Sequence, residues 1–462
     1  MDFRLQKLRV ALSILAAGMV VALVYHGIEG WVLGQKYPYN TFLCLPVSRF
    51  SDFFNARRAA MLTTPYALGL PDGYFPSSYG IFYRLFTLSD DHWKCLIVFL
   101  LIGIGGAILI ASHALRPLTI ALMNHGRGRD SAPAPALWLD LAGLLLAIVF
   151  LLLCEPFPYV IDRANNELHI ALLVAMSLIF IGQGRFIAGL ACLLPGICFK
   201  LYPAVLLVLF LRRGKLRWIA VAGLAFVVVN WASLASYPAP LSQSWSLEKK
   251  DYALMYQRSL IENEAMAGSA TPWNAVKLVT AALANVPNGP PDDPWPSLHP
   301  LFARELVVFS VASLLGAILV TLYGCLVEKE FLRRAIMLLL FLVTASPYGG
   351  DYKLLHIMTA LVALLLIPTR RHHDLLATAL LALALIPKRE ILFPFAGFSD
   401  SGARDISLAI VVNPLCLLLA AGFLAWDALE ARSPAWSAKR FHLLTAPIFA
   451  AGSRSRDSRT SR

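Results

Sequence analysis

Asp52 lies in the stretch Ser48–Ala60, SRFSDFFNARRAA, as its sole acid, between aromatic and basic residues. On a helix starting near Ser51, Asp52, Asn55 and Ala59 share one face, with Phe53 and Arg57 to one side. A carboxylate there, beside Arg49, Arg57 and Arg58, suits a general base in an anion-seeking neighbourhood. It equally suits an acid in the first turn of an interfacial helix, held by the helix dipole. Spacing alone leaves both readings open. Three later stretches bring further polar side chains. EPFPYVIDRANNELH carries Glu155, Arg163, Asn165, Asn166, Glu167 and His169. FKLYP carries Lys200 and Tyr202, and SPYGGDYKLLH carries Tyr348, Asp351, Tyr352, Lys353 and His356. Together they form a mostly cationic set around few carboxylates. Such a set fits a phosphate-bearing ligand whose tail lies in lipid.

Lys200 is the sharpest of these residues. A lysine between two apolar runs costs about 2.5–3.5 kcal/mol at mid-bilayer on insertion scales. It needs an anionic partner, or its long stem snorkels to the interface. Pro203 beside it fixes a bend at the start of the next helix. His169 and His356 read either as ligand-binding groups or as helix-end residues. The seven cysteines form no CxxC pair, so no metal site and no disulfide framework is expected.

The elements that must position these residues are membrane spans. The chain has 462 residues, is 58% hydrophobic and only 15% charged. Its mean hydropathy is +0.65. A soluble domain carries about 25% charged residues, so a water-soluble fold is excluded in favour of an all-α polytopic membrane protein. Apolar runs cover approximately 10–25, 93–115, 137–154, 168–181, 186–198, 201–211, 218–236, 301–327, 335–345 and 406–426, with two more ending at Ile367 and near Pro387. These give about twelve spans, and the runs either side of FKLYP are each too short for a straight crossing of roughly 20 residues. The connections at 116–135, 212–217, 328–334 and 368–374 are basic and are placed in the cytoplasm with both termini. The net charge of +12 follows from this positive-inside pattern rather than from nucleic-acid binding. Outer loops are expected at 26–92, holding amphipathic interfacial helices, and at 237–300, holding a surface helix over EKKDYALMYQRSLIENEAM and a Pro-rich turn. A domain over 1–430 is followed by a basic, partly disordered cytoplasmic tail at 431–462.

Several stretches, taken in order, resemble a known family. SDFFNARRAAMLTTPY, YFPSSYG, RANNELHIALL, FKLYPAVLLVLFLRRGKLRW and ASPYGGDYKLLHIM look like the GT-C class of membrane glycosyltransferases, and the KLYPA frame resembles glycosyltransferase family 87. That family contains polyprenol-phosphate-mannose-dependent α-mannosyltransferases. Where it usually has Gly-Gln-x-Asn, this chain has Ala164-Asn165-Asn166-Glu167, a shorter amide and a carboxylate in place of the second amide.

The resemblance implies a GT-C-like bundle in a bacterial-type inner membrane, with its active site on the extracytoplasmic side. The implied donor is a hexosyl (mannosyl-like) or pentosyl unit on a polyprenyl phosphate, and the acceptor is a glycolipid or glycan. Asp52 would be the general base of an inverting displacement. Lys200, Arg57, Arg163 and Lys353 would bind the donor phosphate. Asn165, Glu167, His169, Tyr202, Tyr352 and His356 would contact substrate. No cofactor or metal is required. The competing reading is a transporter or flippase for a lipid-linked or anionic solute, built on the same cations but expected to show internal repeats and polar residues along its spans.

Overall fold

The computed structural model describes residues 2–37, 39–43, 48–69, 74–126, 135–211, 214–262, 271–284, 295–348, 351–389, 391–394 and 405–432. The N-terminal helix α1 spans Phe3–Gly27, and α2, Ser51–Ala60, lies in the following connection. Next come α3 (His92–Gly126), α4 (Ala136–Leu153), α5 (Pro156–Arg163), α6 (Glu167–Gly182) and α7 (Phe186–Phe199). A 3-10 turn, Tyr202–Leu207, leads into α8 (Val208–Leu211). After it follow α9 (Leu216–Ala235), α10 (Leu241–Met255), α11 (Pro272–Ala284) and α12 (His299–Leu322). The last helices are α13 (Phe331–Thr344), α14 (Leu355–Leu366), α15 (Asp374–Ala384) and α16 (Ala409–Glu430).

Six helical stretches are long and apolar enough to cross a membrane: Phe3–Val32, His92–Asn124, Ala136–Leu153, Leu216–Ala235, Pro296–Val327 and Ala409–Glu430. This is a helical membrane protein. The other six expected spans coincide with shorter helices. Among these, α6 has 16 residues, α7 has 14, α13 has 14, α14 has 12 and α15 has 11. The difference has a packing cause. The inner helices α13 and α14 are buried along most of their length. Protein rather than lipid surrounds their ends, so helix breaks at depth find partners there. The most apolar 18-residue window of Pro296–Val327, by contrast, is only 6% buried and presents its apolar surface outward.

Several boundaries differ from expectation. The expected cytoplasmic connection after 115 is instead helix as far as Gly126, because α3 continues through Pro117. Arg333 and Arg334 were expected in a loop, yet both lie within α13 and are buried. The expected last span begins at Ala409 rather than Ile406, because Asp405–Ser407 pairs antiparallel with Leu392–Pro394 in a two-stranded ribbon. The ribbon is a small departure from an all-α reading. Of the first outer loop, α2 forms as expected, and the stretch after it folds as the short turns Ser78–Phe82 and Tyr83–Thr87. The surface helix of the second outer loop appears as α10 and its continuation Tyr256–Ile261. Most of the Pro-rich turn, and the tail from 433, lie outside the described residues.

The bundle carries polar layers at both ends of α13 and α14. At one end, Arg333 donates to both carboxylate oxygens of Asp374, at 2.7 and 2.9 Å, and to Glu330 at 3.0 Å. Arg371 forks onto Glu328, and Lys7 of α1 donates to the carbonyls of Leu364 and Ile367. The Lys7 bonds cap the end of α14, where carbonyls would otherwise be left unpaired. The other polar layer lies across α14, a helix about 18 Å long at 1.5 Å per residue. Breaking a buried ion pair from one side costs about 3–5 kcal/mol. Asp374→Ala is therefore expected to lower resistance to unfolding in mild detergent by about that amount, and Arg333→Met/Asp374→Leu to recover most of it. Titrated unfolding of the purified variants measures both.

Candidate active site

The site is assembled where two helix starts meet. The first is α2. Phe50 precedes it in the left-handed region at φ 58°, and its N–H donates to the Asp162 carbonyl at 2.7 Å. Arg49 adds a 3.0 Å bond to the Asp162 carboxylate. The second is α6. Ala164, at φ 48°, ends α5 and turns the chain so that Asn165 and Glu167 open α6. Phe50 and Ala164 are the non-glycine residues with positive φ among the described residues. Left-handed backbone costs an L-residue roughly 1–2 kcal/mol. Both strained residues border the same cluster.

Asp52 sits in the first turn of α2, as the dipole reading requires. Its carboxylate nevertheless reaches across the chain. One oxygen accepts from the Arg163 guanidinium, and the other from Asn165 Nδ2 at 2.7 Å. The Asn165 amide also donates to the Tyr74 hydroxyl at 3.2 Å, and its carbonyl accepts from the Glu167 N–H at 2.9 Å. That last bond settles which end of the amide faces Asp52.

Glu167 is fully buried. It accepts from Lys200 at 2.8 Å, from His356 Nε2 at 2.8 Å and from the Tyr202 hydroxyl. Lys200 sits at the end of α7, in extended backbone, where FKLYP breaks the apolar run. Its ammonium lies 5.1 Å from the Tyr74 ring centre and 5.3 Å from that of Tyr352, within cation–π range. Lys200 therefore has its anionic partner within the protein. Lys353 donates to Ser346 Oγ at 2.9 Å and to the Tyr348 carbonyl at 2.5 Å, 4.7 Å above the Tyr202 ring. Burial pulls its pKa down to about 7, with Glu167 opposing that shift and Lys200 adding to it.

Eight of the expected residues thus meet in one connected cluster: Asp52, Arg163, Asn165, Glu167, Lys200, Tyr202, Lys353 and His356. Tyr352 joins them, with its ring stacked on Tyr159 at 6.3 Å. Two do not. Arg57 turns away and donates to the carbonyls of Phe86 and Ser89, both at 2.8 Å. His169 projects from another side of α6, and its ring packs against Phe99 at 4.4 Å and Phe82 at 5.1 Å. Asn55 and Arg58 are exposed. Arg163 holds Asp52 rather than standing free for an anion.

Sequence reasoning missed Tyr74, Tyr159 and Arg389. Tyr74 opens the YFPSSYG stretch and Tyr159 lies in EPFPYVIDRANNELH, but neither was singled out there. Arg389 lies 4.1 Å from the Tyr159 ring centre and pairs with Asp351 at 3.5 Å. It joins the turn Asp351–Leu354, which carries Tyr352 and Lys353, to α5. Among the described residues no three His, Cys, Asp or Glu side chains converge as metal ligands.

Between α3, α6 and α14 lies an apolar cleft of about 160 Å³, lined by none of the cluster's side chains. Phe157, Leu168 and Leu355 line it, and it runs along Ala107, Ala111 and Ala114 of α3. Small residues spaced three and four apart leave that face of α3 hollow. Comparison with protein families, curated proteins and solved structures finds no significant match for this chain.

An ammonium with its midpoint near 7 is charged below that pH and neutral above it. Binding of a lipid phosphodiester, whose single charge is constant across this range, is therefore expected to weaken as pH rises through about 7. Lys353→Arg, charged throughout, is expected to flatten that dependence. Calorimetric titration across the range measures it.

Proposed function

We propose that this protein is a membrane glycosyltransferase that moves a sugar from a polyprenyl phosphate to a hydroxyl of a glycolipid or glycan. The observation that carries the reading is the continuity of the cluster: Asp52 and Lys200 share Asn165, Glu167 and Tyr74 as intermediaries. An acid and a set of cations within one network supply both halves of a displacement at an anomeric carbon. Asp52 accepts the proton of the attacking hydroxyl as the new C–O bond forms. The bond from the anomeric carbon to the phosphate oxygen breaks, configuration inverts, and the polyprenyl phosphate leaves with its negative charge. Lys200 and Lys353 stabilise that charge. Phosphate leaves without a general acid, so one carboxylate suffices. Arg163 and Asn165 hold Asp52 in place, while Tyr74, Tyr352 and Tyr202 offer aromatic faces to a sugar.

The apolar cleft supports a lipid-linked donor through its lining alone, which is almost wholly hydrocarbon. The same lining disfavours a transport path, for which polar groups along the spans are needed; Thr359 is the one polar side chain lining the cleft. We assign the cluster to the extracytoplasmic face of a bacterial-type inner membrane, within a GT-C-like arrangement of about twelve crossings. The basic connections around Arg333 and Arg371 lie at the opposite end of α13 and α14, which supports that orientation through the positive-inside rule.

Membranes containing the protein, given a labelled polyprenyl-phosphate sugar, are expected to form a new labelled glycolipid or glycan. Asp52→Asn is expected to lower transfer by about a hundred- to ten-thousand-fold while donor binding persists. Lys200→Ala is expected to weaken donor capture more than acceptor capture. Unimpaired transfer by Asp52→Asn removes Asp52 from the chemistry.

A further inference from the structure

Asn230 interrupts the apolar run 219–232 of α9. A buried amide in such a run is costly without partners. It finds one on its own helix, where Nδ2 donates to the Phe226 carbonyl at 3.0 Å. The others lie outside. Its Oδ1 accepts from the Ser77 N–H at 3.1 Å, and Nδ2 also reaches the Cys198 carbonyl at 3.4 Å. Asn230 thus joins the first outer loop to the end of α7, one residue pair before Lys200.

That end of α7 is where backbone bonding fails. Lys200 is extended, at φ −147° and ψ 126°, and its N–H makes the last helical bond, to the Gly196 carbonyl at 3.0 Å. Pro203 has no N–H to give the Phe199 carbonyl four residues back. The last carbonyls of α7 therefore need donors from elsewhere. Ser77 Oγ donates to the Cys198 carbonyl at 2.6 Å, and Ser78 Oγ to the Phe199 carbonyl at 2.8 Å. Both serines are fully buried. Their segment is seated on the face of α9 that carries Phe226, Asn230 and Ser233. The Phe75 ring meets Phe226 edge-on at 5.1 Å, and a Cβ at Gly80 would stand 3.1 Å from that of Ser233. The same segment holds Tyr74, whose ring lies against the Lys200 ammonium.

We propose that Ser77, Ser78 and Asn230 are positioning residues that clamp the broken end of α7 and so set where the Lys200 ammonium stands. The proposal rests on the cluster around Asp52 and Lys200 being the active site, and it adds the support that holds the lysine in place from the first outer loop and α9.

Acetylation of individual lysines by acetic anhydride, read by mass spectrometry on the full-length protein in nanodiscs, tests the clamp without substrate. Loss of one hydrogen bond in Ser78→Ala is expected to raise the Lys200 rate about two- to tenfold. Ser77→Ala is expected to raise it less, because Asn230 still reaches the Cys198 carbonyl. Lys7 and Lys388, buried elsewhere, are expected to react as in wild type. Thr378→Val removes an equally buried hydroxyl-to-carbonyl bond in α15 and is expected to leave Lys200 unchanged. Should Ser78→Ala fail to fold, Ser77→Ala carries the test. An unchanged Lys200 rate in the serine variants overturns the proposal. So does a rise shared by Lys7 and Lys388, or an equal rise in Thr378→Val, since either marks general loosening. In a labelled-donor assay run alongside, Ser78→Ala is expected to raise the donor KM and leave the acceptor KM as it was. No transfer by wild type with the acetylation pattern intact removes the glycosyltransferase reading and leaves the clamp standing.

Discussion

The side chain of Asn165 is the contact on which the site depends. It is a buried neutral group with a donor end and an acceptor end. Its donor end faces Asp52 and Tyr74, and its acceptor end ties down the Glu167 N–H. Each contact specifies the other, because the amide cannot be turned over without losing all three. The left-handed Ala164 that delivers Asn165 is a local cost that these bonds offset. An aspartate at 165 would set like charges side by side, and an alanine would leave Asp52 with Arg163 and a long 3.5 Å bond from Ser51 Oγ.

A second constraint comes from the short inner helices. The described part of α13 and α14 is too short to bridge a bilayer alone, yet both are almost wholly enclosed. Their ends therefore fall at depth, where backbone groups and charges need partners inside the protein. At one end the partners are Lys7, Arg333, Asp374 and Glu330. At the other they are Lys353, Ser346, His356 and Glu167. The first layer pairs cations with acids and caps helix ends, which is a holding role. The second joins Glu167 to Lys200, Tyr202 and His356, polar groups from three separate stretches of the chain.

Much of this was legible from residue order. The apolar runs gave the helices in sequence, and the break at FKLYP was readable because a lysine and a proline interrupt hydrocarbon. Asp52 stood out because an acid among arginines beside a membrane span is costly without a purpose. What the chain order concealed was direction. Arg57 and Arg163 are equally basic, but only the fold turns one towards Asp52 and the other towards the carbonyls of Phe86 and Ser89. His169 lies two residues from Glu167, and that spacing on a helix sends it to a different face, among Phe82 and Phe99. Tyr74 and Tyr159 were hidden for another reason. Aromatic residues near prolines are common in interfacial loops, and nothing in their neighbours in sequence predicts Lys200 or Tyr352 as neighbours in space.

The carboxylate at 167 decides how the cations divide their work. Arg163 is spent on Asp52 and Lys200 on Glu167, so each of those pairs is close to neutral as a unit. Lys353 is held instead by a hydroxyl and a carbonyl. A single charge about 4 Å from an anion is worth about 4 kcal/mol at an effective dielectric of 20, while an already paired charge gives only a fraction of that. In the proposed reaction the arriving phosphate is therefore drawn first by Lys353, and it gains Lys200 only in competition with Glu167. Had an amide occupied 167, Lys200 would meet the phosphate undivided, but in the empty site it would be a buried, uncompensated charge. Glu167 thus stabilises the unoccupied protein at the expense of ground-state anion binding. Any strengthening of the Lys200 contact as negative charge gathers on the leaving phosphate then falls in the transition state, where it raises rate rather than affinity.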